Sequence, residues 1–187
     1  MMPGTTVGCM AVFAGVLLAT ITSVSANHAA TGKGTYTVAP QVFFQLHFVV
    51  ALPPGLNVMQ SELTQNGASL SFQTTVIDPF SISTGPAGRT VTITGSLVST
   101  TILGEGPDRQ AFAELVPFTA VGVDTDTDPP VVGADSFSLT LTYGAGQTQG
   151  PLFASLGFGV CDATTCTITF AGLMETGDIF VHTAGGD

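Results

Sequence analysis

The 187-residue sequence has no tryptophan, two tyrosines and three cationic side chains, Lys33, Arg89 and Arg109. Three cations cannot neutralise a row of phosphates, which excludes nucleic-acid binding. The same scarcity excludes electrostatic attachment to an anionic bilayer. An outer-membrane barrel displays aromatic girdles and lipid-facing apolar bands, and so few Tyr and Trp do not supply them. Sugar-cleaving clefts also rely on such rings as platforms. Charged residues make up only 9% of the chain, against roughly a quarter in an ordinary globular protein. Its polarity therefore comes from Thr, Ser, Gly and Gln. The net charge of −10 gives an acidic surface that attracts cations. Outside the N-terminal apolar run no stretch carries a helical 3.6-residue period, apart from one conceivable turn at residues 111–116.

The hydrophobic fraction of 44% suits a packed core, and the length suits one domain. Residues Val7 to Ile21, VGCMAVFAGVLLATI, form an apolar run of signal-peptide length, short for a membrane span. The small-residue segment TSVSA follows, with Val24 and Ala26 at the −3 and −1 positions of a cleavage site. This predicts a signal peptide over 1–26, a mature start at Asn27, and no membrane insertion after cleavage. The start MMPGTT lacks Lys or Arg, so an uncleaved N-terminal anchor is the alternative. Cys9 leaves with the signal. Cys161 and Cys166, separated by DATT, fit a hairpin loop, and in an exported protein they are expected to form a disulfide. Zinc would need further ligands, and His28, His47 and His182 show no spacing that supplies them.

Beyond the signal the chain reads as strands. An extended segment, NHAATGKGTYTVAP, covers 27–40, and a strand domain covers 41–187. In QVFFQLHFVVAL, Val42, Phe44, Leu46, Phe48 and Val50 share one face, and Phe43, Gln45 and His47 the other. Asn66-Gly67 signals a hairpin. A second hairpin turns at Gly85 to Gly88. SFSLTLTY places Phe137, Leu139, Leu141 and Tyr143 inward. GAGQTQGP reads as a loop, and LFASLGFGV leads into the cysteine hairpin. About ten strands with one buried face each predict an all-β, antiparallel two-layer sandwich of Greek-key or jelly-roll type. With so little lysine to guard strand edges, the sandwich is expected to self-associate through them or to pair with another surface protein. Residues 27–40 are the natural donor strand.

The stretch DTDTDPPVVGAD raises the question of a metal. Asp124, Asp126 and Asp128 match the D-x-D-x-D start of many calcium loops, with Asp135 as a fourth ligand. Pro129-Pro130 replaces the glycine such loops require, and no glutamate closes the pattern, so the bland reading is a polar loop between strands. Calcium is thus the one cofactor the sequence raises. Catalytic signals are poor. No G-x-S-x-G elbow accompanies His47 and His182, and Glu105, Asp108 and Glu114 are more simply solvated acids than a glycosidase pair.

Over about residues 77–182, the order TVTITGSL, GEG, FTAVGVD, ADSFSLTL and GDIFVH resembles an exported bacterial β-domain of unknown function found in surface and anchored proteins. The resemblance implies a secreted β-domain near a cell surface and brings no catalytic residues. The expectation is a secreted or cell-surface, non-enzymatic structural or interaction protein. A calcium-assisted glycan- or surface-ligand-binding module is the alternative, and an extracellular hydrolase the third reading.

Overall fold

A computed structural model describes residues 28–52, 57–65, 68–104, 106–125 and 134–183. The signal segment, Cys9, Glu105, Asp126 and Asp128 lie outside the described residues. Ten strands follow in chain order: β1 (His28–Ala39), β2 (Val42–Leu52), β3 (Val58–Gln65), β4 (Ala68–Ile77), β5 (Ser81–Gly85), β6 (Gly88–Leu103), β7 (Gln110–Asp124), β8 (Ser136–Gly144), β9 (Gly159–Cys161) and β10 (Thr165–Thr183). One short helix, α1 (Gln149–Ser155), lies between β8 and β9.

The strands do not form a sandwich. They make a single antiparallel sheet ordered β1-β2-β3-β4-β6-β7-β8-β10, and β10 pairs back with β1 to close an eight-stranded barrel. β5 and β9 are short flaps on β6 and β10. The correction has a simple cause. Alternation reports one buried face per strand, and a closed barrel satisfies that as well as two packed sheets do. Closure depends on β10, whose 19 residues serve two neighbours. Thr165–Leu173 pairs with β8, and Met174–Thr183 pairs with β1. Between these halves the register with β1 slips at Glu175, where Thr35 opposes Thr176 and Tyr36 opposes Met174. Such a bulge bends the strand and shifts its alternation, so Met174 and then Ile179 and Val181 are all buried. Residues 28–39 are accordingly a barrel strand, with both edges paired within the chain.

The inward residues of the eight barrel strands meet in one core. Phe170 is its hub, with ring centroids 5.2 Å from Phe44, 5.3 Å from Phe72, 5.6 Å from Phe153 and 5.0 Å from Phe158. Aromatic contacts of this kind add to their area burial. Outside, the strands carry small hydroxyl residues. Thr94, Thr119, Thr140 and Thr169 stand in one lateral row across β6, β7, β8 and β10, and the last two hydroxyls are 3.1 Å apart. The outward positions of β6, β7, β8 and the first half of β10 bear no charged side chain among the described residues.

Residues 111–116, which read as strand with one helical turn conceivable, continue β7. One local expectation fails. The stretch read as loop and strand instead supplies α1, where Pro151 sits in the first turn and so needs no N–H donor there. Gly157, at φ 87°, ends the helical turn and donates its N–H to the Ala154 carbonyl.

Gly177 adopts φ 80°, and a Cβ there would run into the Lys33 carbonyl of β1. Gly177→Ala is expected to cost about 1–3 kcal/mol, read as a lower urea midpoint. Gly85→Ala, at a position with open space around it, should be close to neutral.

Candidate functional site

The barrel has two chemically distinct ends. At one, α1 closes over the strand termini. Gln149 is fully buried and fastens the helix from within. Its Oε1 accepts hydrogen bonds from Ser99 Oγ (2.6 Å) and Thr101 Oγ1 (2.9 Å), and its Nε2 donates to the Ser99 carbonyl (2.9 Å). Tyr143 extends the network by donating to Ser99 Oγ (2.9 Å), and burial pushes its phenol well above the usual range. Glu114 of β7 accepts the N–H groups of Thr148 (2.6 Å) and Gln149 (3.2 Å), so it holds the helix start and serves no catalytic pair. Gly150 fits against Tyr143 and Cys166, where any Cβ would collide. Cys161 and Cys166 oppose one another across β9 and β10 and are joined as expected, with Cα atoms 4.0 Å apart.

Beneath α1 lies a cavity of about 540 Å³. β2 and β3 stop pairing beyond Gln45 and Glu62, and the next residues inward, Phe44 and Leu63, line the space. Leu70, Leu152, Phe158 and Phe170 complete most of the wall. Among the described residues its polar side chains are Ser69 and Thr101, and no charged residue lines it. The volume falls within the ordinary range for small-molecule sites, roughly 300–1,000 Å³, and an apolar wall with few polar groups is their usual composition.

At the other end β10 runs past the start of β8, and its backbone donors there have no strand to meet. Side chains take the strand's place. Asp135 Oδ2 accepts the Ile179 N–H (2.9 Å) and Asp124 Oδ2 accepts the Val181 N–H (2.9 Å). Arg89 Nη1 donates to the Val181 carbonyl (3.0 Å). Asp135 Oδ1 also accepts from the Thr125 N–H and hydroxyl, both at 3.1 Å. Two of the four aspartates considered as calcium ligands thus sit together at this seam, bonded to backbone. Among the described residues no group of three or more metal-ligating side chains is placed to hold an ion.

Asp178 shares this seam. Burial, the hydrogen bond with Asp135 and the neighbouring negative charges raise its carboxyl to about 6. For Asp135 burial acts upwards, but the bonds from Asp178, Ile179 and Thr125 outweigh it and hold the carboxyl below the usual range.

The remaining candidates do not converge. His47 is exposed on β2, in register between Lys33 and Gln60. These residues line a groove of about 320 Å³ on the outside of β1, β2 and β3 together with Thr35, Gln45 and Glu62. Ser61, beside that groove, is buried and bonded to the Tyr36 hydroxyl at 3.2 Å. It therefore faces the core while His47 and Glu62 face outward, and the three form no triad. His182 is exposed and stacks on Phe180. Asp108 is exposed in a short 3-10 turn. Sequence reasoning missed the cavity, because its wall is assembled from six strands and α1. No local signal could have found it: Gln149, followed by Gly150 and Pro151, reads as part of a loop.

The folded protein holds the Asp178 proton more tightly than the unfolded chain does, so stability should fall as pH rises from about 4 to about 6 and level off above. Asp135 acts in the opposite sense, losing its contribution as pH drops below about 4. Asp178→Asn keeps a donor for Asp135 and removes the charge. Its melting temperature should lose the decline between pH 4 and 6, and at pH 7 it should match or exceed that of the native protein.

Comparison with family models, curated proteins and solved structures finds no match to this chain.

Proposed function

We propose that this protein is an exported, non-enzymatic binding barrel that holds a small apolar molecule in the cavity beneath α1. The observation that carries the reading is the cavity itself: about 540 Å³, walled by Leu, Val and Phe side chains, with its cover fastened by the Gln149 network. A water-filled space with so few hydrogen-bonding groups is unfavourable, whereas filling it with an apolar molecule removes apolar surface from water at about 25 cal/mol per Å².

Three further points support it. The Cys161–Cys166 bridge suits an oxidising compartment, in keeping with the apolar segment and small-residue site at the start of the chain. Most large apolar side chains face inward, with Phe43, Leu115, Leu173 and Phe180 among those left exposed, and the outer faces of β6 and β8 are rich in Thr and Ser, unlike the continuous apolar band of a membrane-spanning barrel. His47, Glu62 and Ser61 are not arranged for chemistry, which favours binding over hydrolysis.

A neutral naphthylamine dye that fluoresces in apolar surroundings should brighten with the native protein and raise its melting temperature progressively, with the logarithm of dye concentration once the site is saturated. Ala68→Trp and Leu152→Trp, each filling the cavity from a different wall, should abolish the brightening while the fold, read by circular dichroism, persists. A folded native protein that leaves the dye dark overturns the reading.

A further inference from the structure

Resting on the cavity reading, we infer that the natural ligand is a neutral apolar alcohol: one hydroxyl on a hydrocarbon body, with no charge. Two observations select this class.

The first is charge. Placing a carboxylate or an amine in low-dielectric surroundings is costly unless an opposite charge receives it, and among the described residues no ionisable side chain lines the cavity. The three cations lie elsewhere. Lys33 is on the outer groove. Arg89 is bonded to Val181 at the opposite end. Arg109 is exposed in the turn between β6 and β7 and is not part of the wall. With a chain charge of −10, an anionic ligand is repelled before it arrives. This sets the site against free fatty acids, the obvious occupants of an apolar barrel.

The second is the direction of the one fixed polar group. Thr101 is buried, and its single hydroxyl proton is committed to Gln149 Oε1 at 2.9 Å. Gln149 Oε1 is held in turn by Ser99, and Gln149 Nε2 by the Ser99 carbonyl, so the amide cannot reverse without breaking both. Thr101 Oγ1 therefore meets the cavity as an acceptor only. A ligand hydroxyl can donate to it. At Thr101 an ether, ketone or ester of the same shape places oxygen against oxygen and gains nothing, whereas the Ser69 hydroxyl can donate to or accept from any of these ligands and so discriminates among none of them. Buried hydrogen-bonding sites discriminate strongly against partners that leave them unmatched.

The test uses the purified protein and the dye of the previous section, displaced by four molecules of one chain length: dodecanol, dodecyl methyl ether, dodecane and dodecanoate at pH 8. Dodecanol should displace the dye at least tenfold more effectively than the ether, and dodecanoate least of all. Thr101→Val, of nearly the same shape, should cut dodecanol affinity about five- to tenfold and leave dodecane unchanged, the signature of a lost hydrogen bond and not of a collapsed cavity. Equal displacement by alcohol and ether, or displacement by dodecanoate as strong as by dodecanol, overturns the ligand class while the binding barrel stands. A dye that never binds overturns the barrel reading and this inference with it. Dye binding that depends on protein concentration, with a dimer in size-exclusion chromatography, places the apolar surface of a second copy over the mouth and likewise overturns the inference.

Discussion

The structure depends on one strand with two partners. β10 leaves β8 at Leu173 and takes up β1 at Met174, and without that transfer the sheet would be open, with β1 and β10 as bare edges. Closure is what removes edges from a β-protein. It explains how a chain with a single lysine manages without charged gatekeepers. The transfer leaves a fault on the β8 side, where the Ile179 and Val181 N–H groups would be orphaned. Asp135 and Asp124 fill it with carboxylate oxygens, and Arg89 does the same for the Val181 carbonyl. Buried backbone donors must be satisfied, and here side chains from β6, from β7 and from just ahead of β8 do what a ninth barrel strand would otherwise do.

The same closure creates the cavity. A barrel of eight strands is just wide enough for its side chains to fill, or to leave room for one small ligand. Here the seam half is filled by Val91, Ile93, Ile179 and Val181. The other half is not, because β2 and β3 diverge beyond Gln45 and Glu62 and α1 spans the resulting mouth. The polar residues are divided accordingly. Carboxylates hold the seam, where there are backbone donors to receive. Inside the covered end the buried groups are amide and hydroxyl, satisfied among themselves around Gln149, while the Glu114 carboxylate stays at the helix start and accepts the Thr148 and Gln149 N–H groups.

Much of the barrel was legible residue by residue. Phe137, Leu139, Leu141 and Tyr143 are buried as their alternation predicts, the Gly85–Gly88 turn joins β5 to β6, and Cys161 opposes Cys166. The candidate site was not legible. Asp124 and Asp135 attract notice as members of an acidic series, yet their bonds are to Ile179 and Val181, more than forty residues away, and no spacing rule reaches that far. Gln149 shows nothing locally of its role, which exists only because Ser99 and Thr101 lie opposite it.

What the sequence determined by itself was the strand content and the face each strand buries, because these follow from neighbours two residues apart. Whether the sheet closed into a barrel or folded over into a sandwich was decided only in three dimensions. Both solutions bury the same alternate side chains, and what separates them is a long-range pairing, β1 against the end of β10, together with a bulge at Glu175 that keeps Met174, Ile179 and Val181 all facing inward.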